Sequence, residues 1–182
     1  MRTLTLATAA VVTFGAASSP SQAITFSVGS LASACYSASL DYKVKQVDLE
    51  NCTRALDEEP LGFDDRVATL VNRGIVRMNL NDRFGADRDF DKALAMDQKE
   101  PEAWLNKGLL RLREDKAAEA MPLIQRAIDA HTIRPALAFY ARGVANEKLG
   151  NLRAAYADLT QARDIAPGWK LPAQQLARYQ VR

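Results

Sequence analysis

The sequence predicts an all-α protein built from stacked helix hairpins, and three periodic observations lead to this fold class. Glycines recur at separations of 34 and 35 residues, at Gly74, Gly108 and Gly143. Alanines follow each glycine by 12 residues, at Ala86, Ala120 and Ala155. A larger apolar residue follows one helical turn later, at Phe90, Ile124 and Leu159. Such a period is typical of helix–turn–helix repeats, which stack because one unit cannot bury its apolar face alone.

Each repeat is predicted to contain two closely packed helices. The glycine lies in the first helix, and the alanine and the larger residue lie in the second. Small residues let two helices approach closely, and the larger residue fills the seam, the interface between the two helices of a hairpin. Prolines mark the boundaries of the units. A second helix is expected to stop before Pro60 and before Pro167, and Pro101 and Pro135 are expected to open new units.

Taken together, these positions resemble the tetratricopeptide repeat (TPR) over residues 66–169. The family pattern has, in order, a bulky residue, a glycine, an alanine, a larger apolar residue and a second alanine. In the first unit these are Leu70, Gly74, Ala86, Phe90 and Ala93; in the second, Trp104, Gly108, Ala120, Ile124 and Ala127; in the third, Phe139, Gly143, Ala155, Leu159 and Ala162. The sequence departs from the pattern where the family has a tyrosine in the first helix, with Arg77, Arg111 and Asn146. The resemblance implies a right-handed superhelical solenoid of three clear repeats.

The resemblance also extends to both sides of the three repeats. Residues 24–65 are expected to hold one degenerate repeat, in which Cys52, Ala55, Leu56 and Pro60 match second-helix positions. Counting back within that unit places Cys35 in its first helix, at a position that faces the seam like Cys52. Residues 170–182 are expected to form a C-terminal helix that caps the last apolar face.

Residues 1–23 have the three-part pattern of a cleavable export signal. Arg2 supplies a positive start, residues 4–17 are apolar and uncharged, and residues 21–23 form a small-x-small cleavage site. The mature chain is expected to begin at Ile24 and to be periplasmic or secreted. The alternatives are an uncleaved cytosolic N-terminus and a lipoprotein. The apolar stretch is too short for an integral membrane span.

Export bears on the two cysteines, because oxidising compartments favour disulfides. If Cys35 and Cys52 both face the seam of one hairpin, a disulfide between them is sterically feasible. The alternative is a pair of buried free thiols that behave as small apolar side chains. No Cys-x-x-Cys motif is present, so we expect a structural rather than a redox-catalytic role.

Composition and charge narrow the possible functions. The formal net charge of +2 becomes +1 after removal of residues 1–23, which gives no broad electrostatic reason to bind nucleic acid. His131 is the single histidine and has no partner at metal-ligand spacing. The sequence has no phosphate-binding glycine loop. His131 also has no Ser or Cys partner at a repeat-matched position for nucleophilic catalysis. We therefore expect no catalytic residues, metal or cofactor, and a protein that is not an enzyme.

The resemblance also implies a binding surface, since the first helices of TPR units line a concave groove. Carried over position by position, the expected peptide-binding groove consists of Val71, Asn72, Ile75, Met78, Leu105, Asn106, Leu109, Leu112, Tyr140 and Val144. Its expected polar edge consists of Asn79, Arg113, Glu147 and Lys148. Asn72 and Asn106 are the best candidates for specific contacts, because an amide both donates and accepts hydrogen bonds. The alternative is that some of the apolar residues only pack against the next repeat and that both asparagines bond only within the scaffold.

The same positions exclude one known ligand type. TPR proteins that hold a C-terminal carboxylate use a set of Lys, Asn and Arg residues, whereas this chain has Val71, Ile75, Leu137 and Ala141 at those places. The functional hypothesis is a non-enzymatic adaptor or scaffold of the cell envelope, holding a segment of another protein in the groove. The alternative is a structural protein that associates with a second copy of itself.

Overall fold

The computed structural model describes residues 30–41 and 43–179, and within these residues the chain forms nine α-helices and no β-strand. The predicted export signal, residues 1–23, lies outside the described residues. Within the described ranges, no helix combines the length and apolarity needed to cross a membrane. The helices are α1 (Leu31–Ser39), α2 (Gln46–Glu58), α3 (Phe63–Asn79), α4 (Arg83–Met96), α5 (Pro101–Arg113), α6 (Ala117–Asp129), α7 (Pro135–Lys148), α8 (Leu152–Ile165) and α9 (Lys170–Leu176).

Successive helices pair into hairpins, and the hairpins stack in chain order. Helices α1 and α2, α3 and α4, α5 and α6, and α7 and α8 form the four hairpins. Each hairpin packs its second helix against the first helix of the next one, through the pairs α2–α3, α4–α5, α6–α7 and α8–α9. First helices also contact each other, through α1–α3, α3–α5 and α5–α7, so they share one face of the stack. The predicted all-α hairpin solenoid is confirmed.

Small residues control the closeness of each seam, as the period predicts. A Cβ atom added to Gly108 would lie 2.6 Å from Cγ1 of Ile124, which is closer than two carbon atoms tolerate. At Gly143 the added atom would lie 3.0 Å from Cγ of Leu159. Both larger residues are fully buried. The glycines are therefore required by helix contact rather than by backbone conformation.

Turns and helix ends recur with the same period. The backbone is left-handed at one point in the turn of each repeat, with φ of 65° at Asn81, 61° at Asp115 and 79° at Gly150. Pro101 and Pro135 are the first residues of α5 and α7, where a missing N–H costs nothing. Helices α2 and α8 both end two residues before a proline, as predicted.

The N-terminal hairpin contains the disulfide. Cys35 of α1 and Cys52 of α2 are bonded, with their Cα atoms 4.7 Å apart and both residues fully buried. Both cysteines pack with Val76 of α3. The carboxylate of Glu59 accepts hydrogen bonds from the first two backbone N–H groups of α1, at 2.6 and 3.1 Å. Helix α1 is thus fixed at its start by a cap and at its middle by a covalent bond.

At the C-terminus, the predicted capping region contains one short helix, α9, which covers Lys170–Leu176. Pro172 is buried against the end of the stack. Trp169, directly before α9, packs against Tyr140 of α7 with ring centroids 4.8 Å apart. The C-terminal segment therefore covers part of α7, on the face of the stack that the first helices share.

Candidate protein-binding groove

The shared face of the first helices carries a cleft of about 450 Å³. It is bounded by the C-terminal end of α1, by α3 and α5, and by the first turn of α7. Five apolar side chains form its floor: Ile75, Met78, Leu109, Leu112 and Leu137. Its volume falls within the range known for ligand-binding clefts, and its lining is mainly apolar with a few polar groups.

The structure brings half of the predicted groove residues together in this cleft: Ile75, Met78, Asn106, Leu109 and Leu112. Val71 and Leu105 do not line the cleft and are buried in the core of the stack. Ile75, Met78 and Asn106 are also buried, at 8%, 6% and 2% exposure, so they reach the cleft with little of their surface. Asn72, Tyr140 and Val144 do not line the cleft. The first helices therefore present alternating core and cleft positions, and family position alone does not separate the two.

The two asparagines singled out in the sequence both bond within the scaffold. Nδ2 of Asn106 donates to the backbone carbonyl of Glu102, at 2.7 Å, and Asn106 is only 2% exposed. Oδ1 of Asn72 accepts a hydrogen bond from the hydroxyl of Ser39, at 3.1 Å. Asn72 therefore ties α3 to α1. Asn106 lines the cleft, and its amide makes no second hydrogen bond among the described residues.

The end of the shared face formed by α7 is occupied by the chain itself. Tyr140 packs on Trp169, and burial raises the pKa of its hydroxyl. Glu147 accepts a hydrogen bond from Gln175 at 2.5 Å and forms an ion pair with Arg178 at 3.2 Å. Val144 lies half-buried between these two residues on α7. The open part of the predicted groove is consequently restricted to the first two repeats and the start of the third.

Two arginines lie at the cleft and differ in their partners. Arg134 forms an ion pair with Glu102, with Nη2 and Oε2 2.6 Å apart. Arg113 donates instead to two neutral oxygens, the carbonyl of Met78 at 3.2 Å and Oδ1 of Asn79 at 3.3 Å. Partial burial, followed by the charge of Arg83, lowers the pKa of Arg113. Arg113 forms no ion pair within the described part of the chain.

Polar pairs that the sequence analysis missed hold two of the seams. In the first repeat Arg73 donates twice to Asp89, at 2.8 and 2.9 Å, and Arg77 donates to the same carboxylate at 2.6 Å. In the third repeat Arg142 donates twice to Asp158, at 2.6 and 2.9 Å. Both pairs cross the seam at a separation of 16 residues. That repeated spacing was the signal available in the sequence.

The middle repeat has no such pair, because Leu123 stands 16 residues after Lys107. Lys107 reaches back to α4, where it pairs with Asp91 and, at 3.2 Å, with Asp87. Arg111 also pairs with Asp87, at 2.8 Å. Burial raises the pKa of Asp87, but the hydrogen bonds from Arg111 and Lys107 outweigh this effect and lower it.

The other side of the middle repeat is joined to the third repeat through one carboxylate. Glu102 accepts from the hydroxyl of Thr132, from the backbone N–H of Ile133 at 3.0 Å, and from Arg134 at 2.7 Å. Its carboxylate therefore accepts hydrogen bonds from the turn between α6 and α7 and holds Arg134, which lines the cleft. These contacts make the middle repeat the link between its two neighbours.

Stacked hairpins with glycine seams, a 34-residue period and a cleft on the first helices define a helical-repeat solenoid of the TPR type. Solved structures of MamA, a TPR-like helical-repeat protein, have this fold. The MamA fragment "41-end from Desulfovibrio magneticus RS-1" is 23% identical to this chain, with 81% of this chain and 82% of that chain covered and a TM-score of 0.62.

Two further MamA structures are similar. The "MamA RS-1 ArsTM double mutant" is 24% identical, covers 81% and 82% of the two chains, and has a TM-score of 0.61. Another MamA crystal structure is 22% identical, covers 71% and 72%, and has a TM-score of 0.58. At these identities the likeness establishes the fold. No protein-family profile and no curated protein sequence matches the chain.

Proposed function

We propose that this protein is a non-enzymatic adaptor that holds a segment of another polypeptide in the cleft. The observation that carries the proposal is the apolar floor of the cleft, which spans three successive first helices and stays open. An apolar side chain from a partner would bury there against Leu109 and Leu112. Exposed apolar clefts with a polar rim commonly mark protein-interaction sites.

We place this activity in the cell envelope or outside the cell. The support comes from two independent features: the export-type pattern of residues 1–23 and the buried disulfide between Cys35 and Cys52. Disulfides persist mainly in oxidising compartments. Fractionation of source cells, followed by mass spectrometry of the N-terminal peptide, tests the location. A mature N-terminus at Ile24 outside the cytoplasm is the expected result.

Site-specific photo-crosslinking in the source cell tests the adaptor proposal. A photoreactive residue replaces Leu112 at the cleft in one variant and Lys92, an exposed residue of α4, in the control. The proposal expects a discrete crosslinked product from position 112 and none from position 92. Equal products, or none from position 112 in protein that is folded and exported, would count against a cleft ligand.

The second candidate is self-association through the same face. Leu40 favours it, because this side chain lines the cleft and is 67% exposed. The mass of the crosslinked product distinguishes the two candidates: twice the mass of the chain indicates a second copy, and any other mass indicates a different partner. Sedimentation of purified protein over a hundredfold concentration range provides an independent measurement of self-association.

A further inference from the structure

We propose that the segment held in the cleft carries an aspartate or glutamate whose carboxylate pairs with Arg113, beside apolar residues that occupy the floor. This inference rests on the proposed adaptor function and specifies the chemistry of the partner. It predicts a partner segment that is both acidic and apolar, rather than one that is purely apolar.

The ion pairs around the cleft support this assignment. Three nearby arginines are neutralised inside the fold: Arg77 by Asp89, Arg111 by Asp87 and Arg134 by Glu102. A fourth, Arg83, donates to Oδ1 of Asn81 and does not line the cleft. Arg113 is the exception among the cleft residues, since within the described ranges it contacts only an amide and a carbonyl oxygen. A guanidinium ion held beside apolar side chains gains most from a carboxylate that can accept two parallel hydrogen bonds.

Nearby groups do not supply that carboxylate. Asp41 lies at the same cleft, but its side chain accepts the backbone N–H of Lys43 at 2.8 Å and forms no ion pair with Arg113. Partial burial, followed by the charge of Arg83, lowers the pKa of Arg113. Since Arg113 makes no ion pair with a described residue and donates only to neutral oxygens, an anion is favoured at this rim of the cleft.

The position of Arg113 also suits a ligand that lies on the floor. Arg113 follows Leu112 directly and is the last residue of α5, so it lies beside the part of the floor that α5 contributes. Its contacts to Asn79 are long, at 3.3 and 3.4 Å. A carboxylate can replace these contacts while the carbonyl of Met78 keeps its bond. The arrangement thus pairs one anionic contact with adjacent apolar contacts.

Selection from a library tests the proposal with a defined probe. Random 12-residue segments are displayed on phage and selected on the purified, oxidised full-length protein, on Arg113→Glu, and on Leu112→Asp. The parent protein is expected to enrich segments that combine Asp or Glu with Leu, Ile, Met or Phe. Arg113→Glu is expected to enrich apolar segments with Lys or Arg, and Leu112→Asp is expected to enrich neither.

Titration of one enriched peptide then measures the contact directly. Replacing its glutamate by glutamine should weaken binding to the parent about tenfold, and should change binding to Arg113→Gln less than twofold. Arg88→Glu makes the same charge change as Arg113→Glu on α4, away from the cleft, and should leave the affinity unchanged. Circular dichroism of each variant confirms that the fold is kept.

The outcomes separate this inference from the proposed function. Enrichment of apolar segments without acidic residues, equally on the parent and on Arg113→Glu, would refute the carboxylate contact and leave the adaptor proposal standing. Peptides that bind Leu112→Asp as well as they bind the parent would refute both, as would the absence of any enriched segment.

Discussion

The outer repeats and the middle repeat differ in where their strongest ion pairs lie. In the first and third repeats, an arginine on the first helix pairs with an aspartate on the second helix, inside one hairpin. In the middle repeat, Leu123 stands at the position of the aspartate, and Lys107 pairs with the preceding repeat instead. The outer hairpins thus carry a bidentate ion pair between their own helices, whereas the middle hairpin has the longer contact of Arg111 with Glu119, at 3.4 Å, and directs its shorter ion pairs to the preceding repeat.

This difference suggests a division of roles along the stack. In a solenoid, stability is approximately the sum of terms within repeats and terms between neighbouring repeats. The buried pair at Asp89 adds to the first kind of term, and the contacts of Lys107, Arg111 and Glu102 add to the second. The cleft lies over the middle repeat, so interactions between repeats hold its walls in register.

The largest expected effect tests the buried pair of the first repeat. Asp89→Ala leaves Arg73 and Arg77 without their shared carboxylate, and it should lower the free energy of unfolding by about 3–5 kcal/mol. Asp158→Ala should cost less, about 2–3 kcal/mol, because the side chain of Arg142 is 20% exposed and keeps access to water. Urea titration of oxidised protein measures both. A larger loss of stability in Asp158→Ala than in Asp89→Ala would contradict this ranking of the two pairs by burial.

A second test concerns the seam of the middle repeat. Gly108→Leu places a side chain where Ile124 already lies, and should lower the free energy of unfolding by about 3 kcal/mol through overpacking. Gly143→Ala serves as the comparison, since its added Cβ would meet Leu159 at 3.0 Å and requires only a small shift. Thermal unfolding followed by circular dichroism measures the two variants. Unchanged stability in Gly108→Leu would contradict the close approach of α5 and α6.

A double-mutant cycle can convert the middle repeat to the outer type. Lys107→Arg and Leu123→Asp together recreate the Arg–Asp spacing found at Arg73 and Arg142. The coupling energy between positions 107 and 123 should be favourable by about 1–2 kcal/mol, because a bidentate pair forms across the seam. Unfolding free energies of the parent, the two single variants and the double variant give this quantity. A coupling energy near zero would show that the middle seam differs in geometry as well as in sequence.

The smallest effect concerns the link between the first and middle repeats. The folded-state pKa of Asp87 lies below its unfolded value, so its contribution to stability is present above the unfolded pKa and is lost as pH falls through the folded pKa. Asp87→Asn should therefore lower the stability at pH 7 by about 0.5 kcal/mol, and the difference should shrink as the pH falls through the folded-state pKa of Asp87. Urea titrations over a range of acidic pH measure it. A difference that does not depend on pH would assign the effect to packing.

Periodicity was sufficient to predict the hairpins, because seam packing requires small residues at fixed positions. Gly108, Ala120 and Ile124 occupy the places that the repeat predicts, and the cysteine pair faces the first seam as expected. The cleft was predicted less well. The position of a residue along a first helix predicts the direction of its side chain only to within about one residue. Leu105 was therefore assigned to the groove but lies in the core.

Other features depended on contacts between distant segments. Nothing local to Tyr140 indicates that Trp169 covers it, since that contact depends on how the chain turns after α8. The ion pairs across the seams had a signal in the 16-residue spacing of Arg73 and Asp89, repeated at Arg142 and Asp158. The middle repeat interrupts that spacing, so the pattern is visible only once the repeats are aligned on their glycines.

The disulfide of the N-terminal hairpin bears on the wall of the cleft. The last residue of α1 and the two residues after it supply Ser39, Leu40 and Asp41 to the cleft, and the bond from Cys35 to Cys52 attaches α1 covalently to α2. Reduction of this bond would leave α1 held by its cap at Glu59 and by packing against Val76. This wall of the cleft is therefore the one whose position depends on the redox state of a covalent bond.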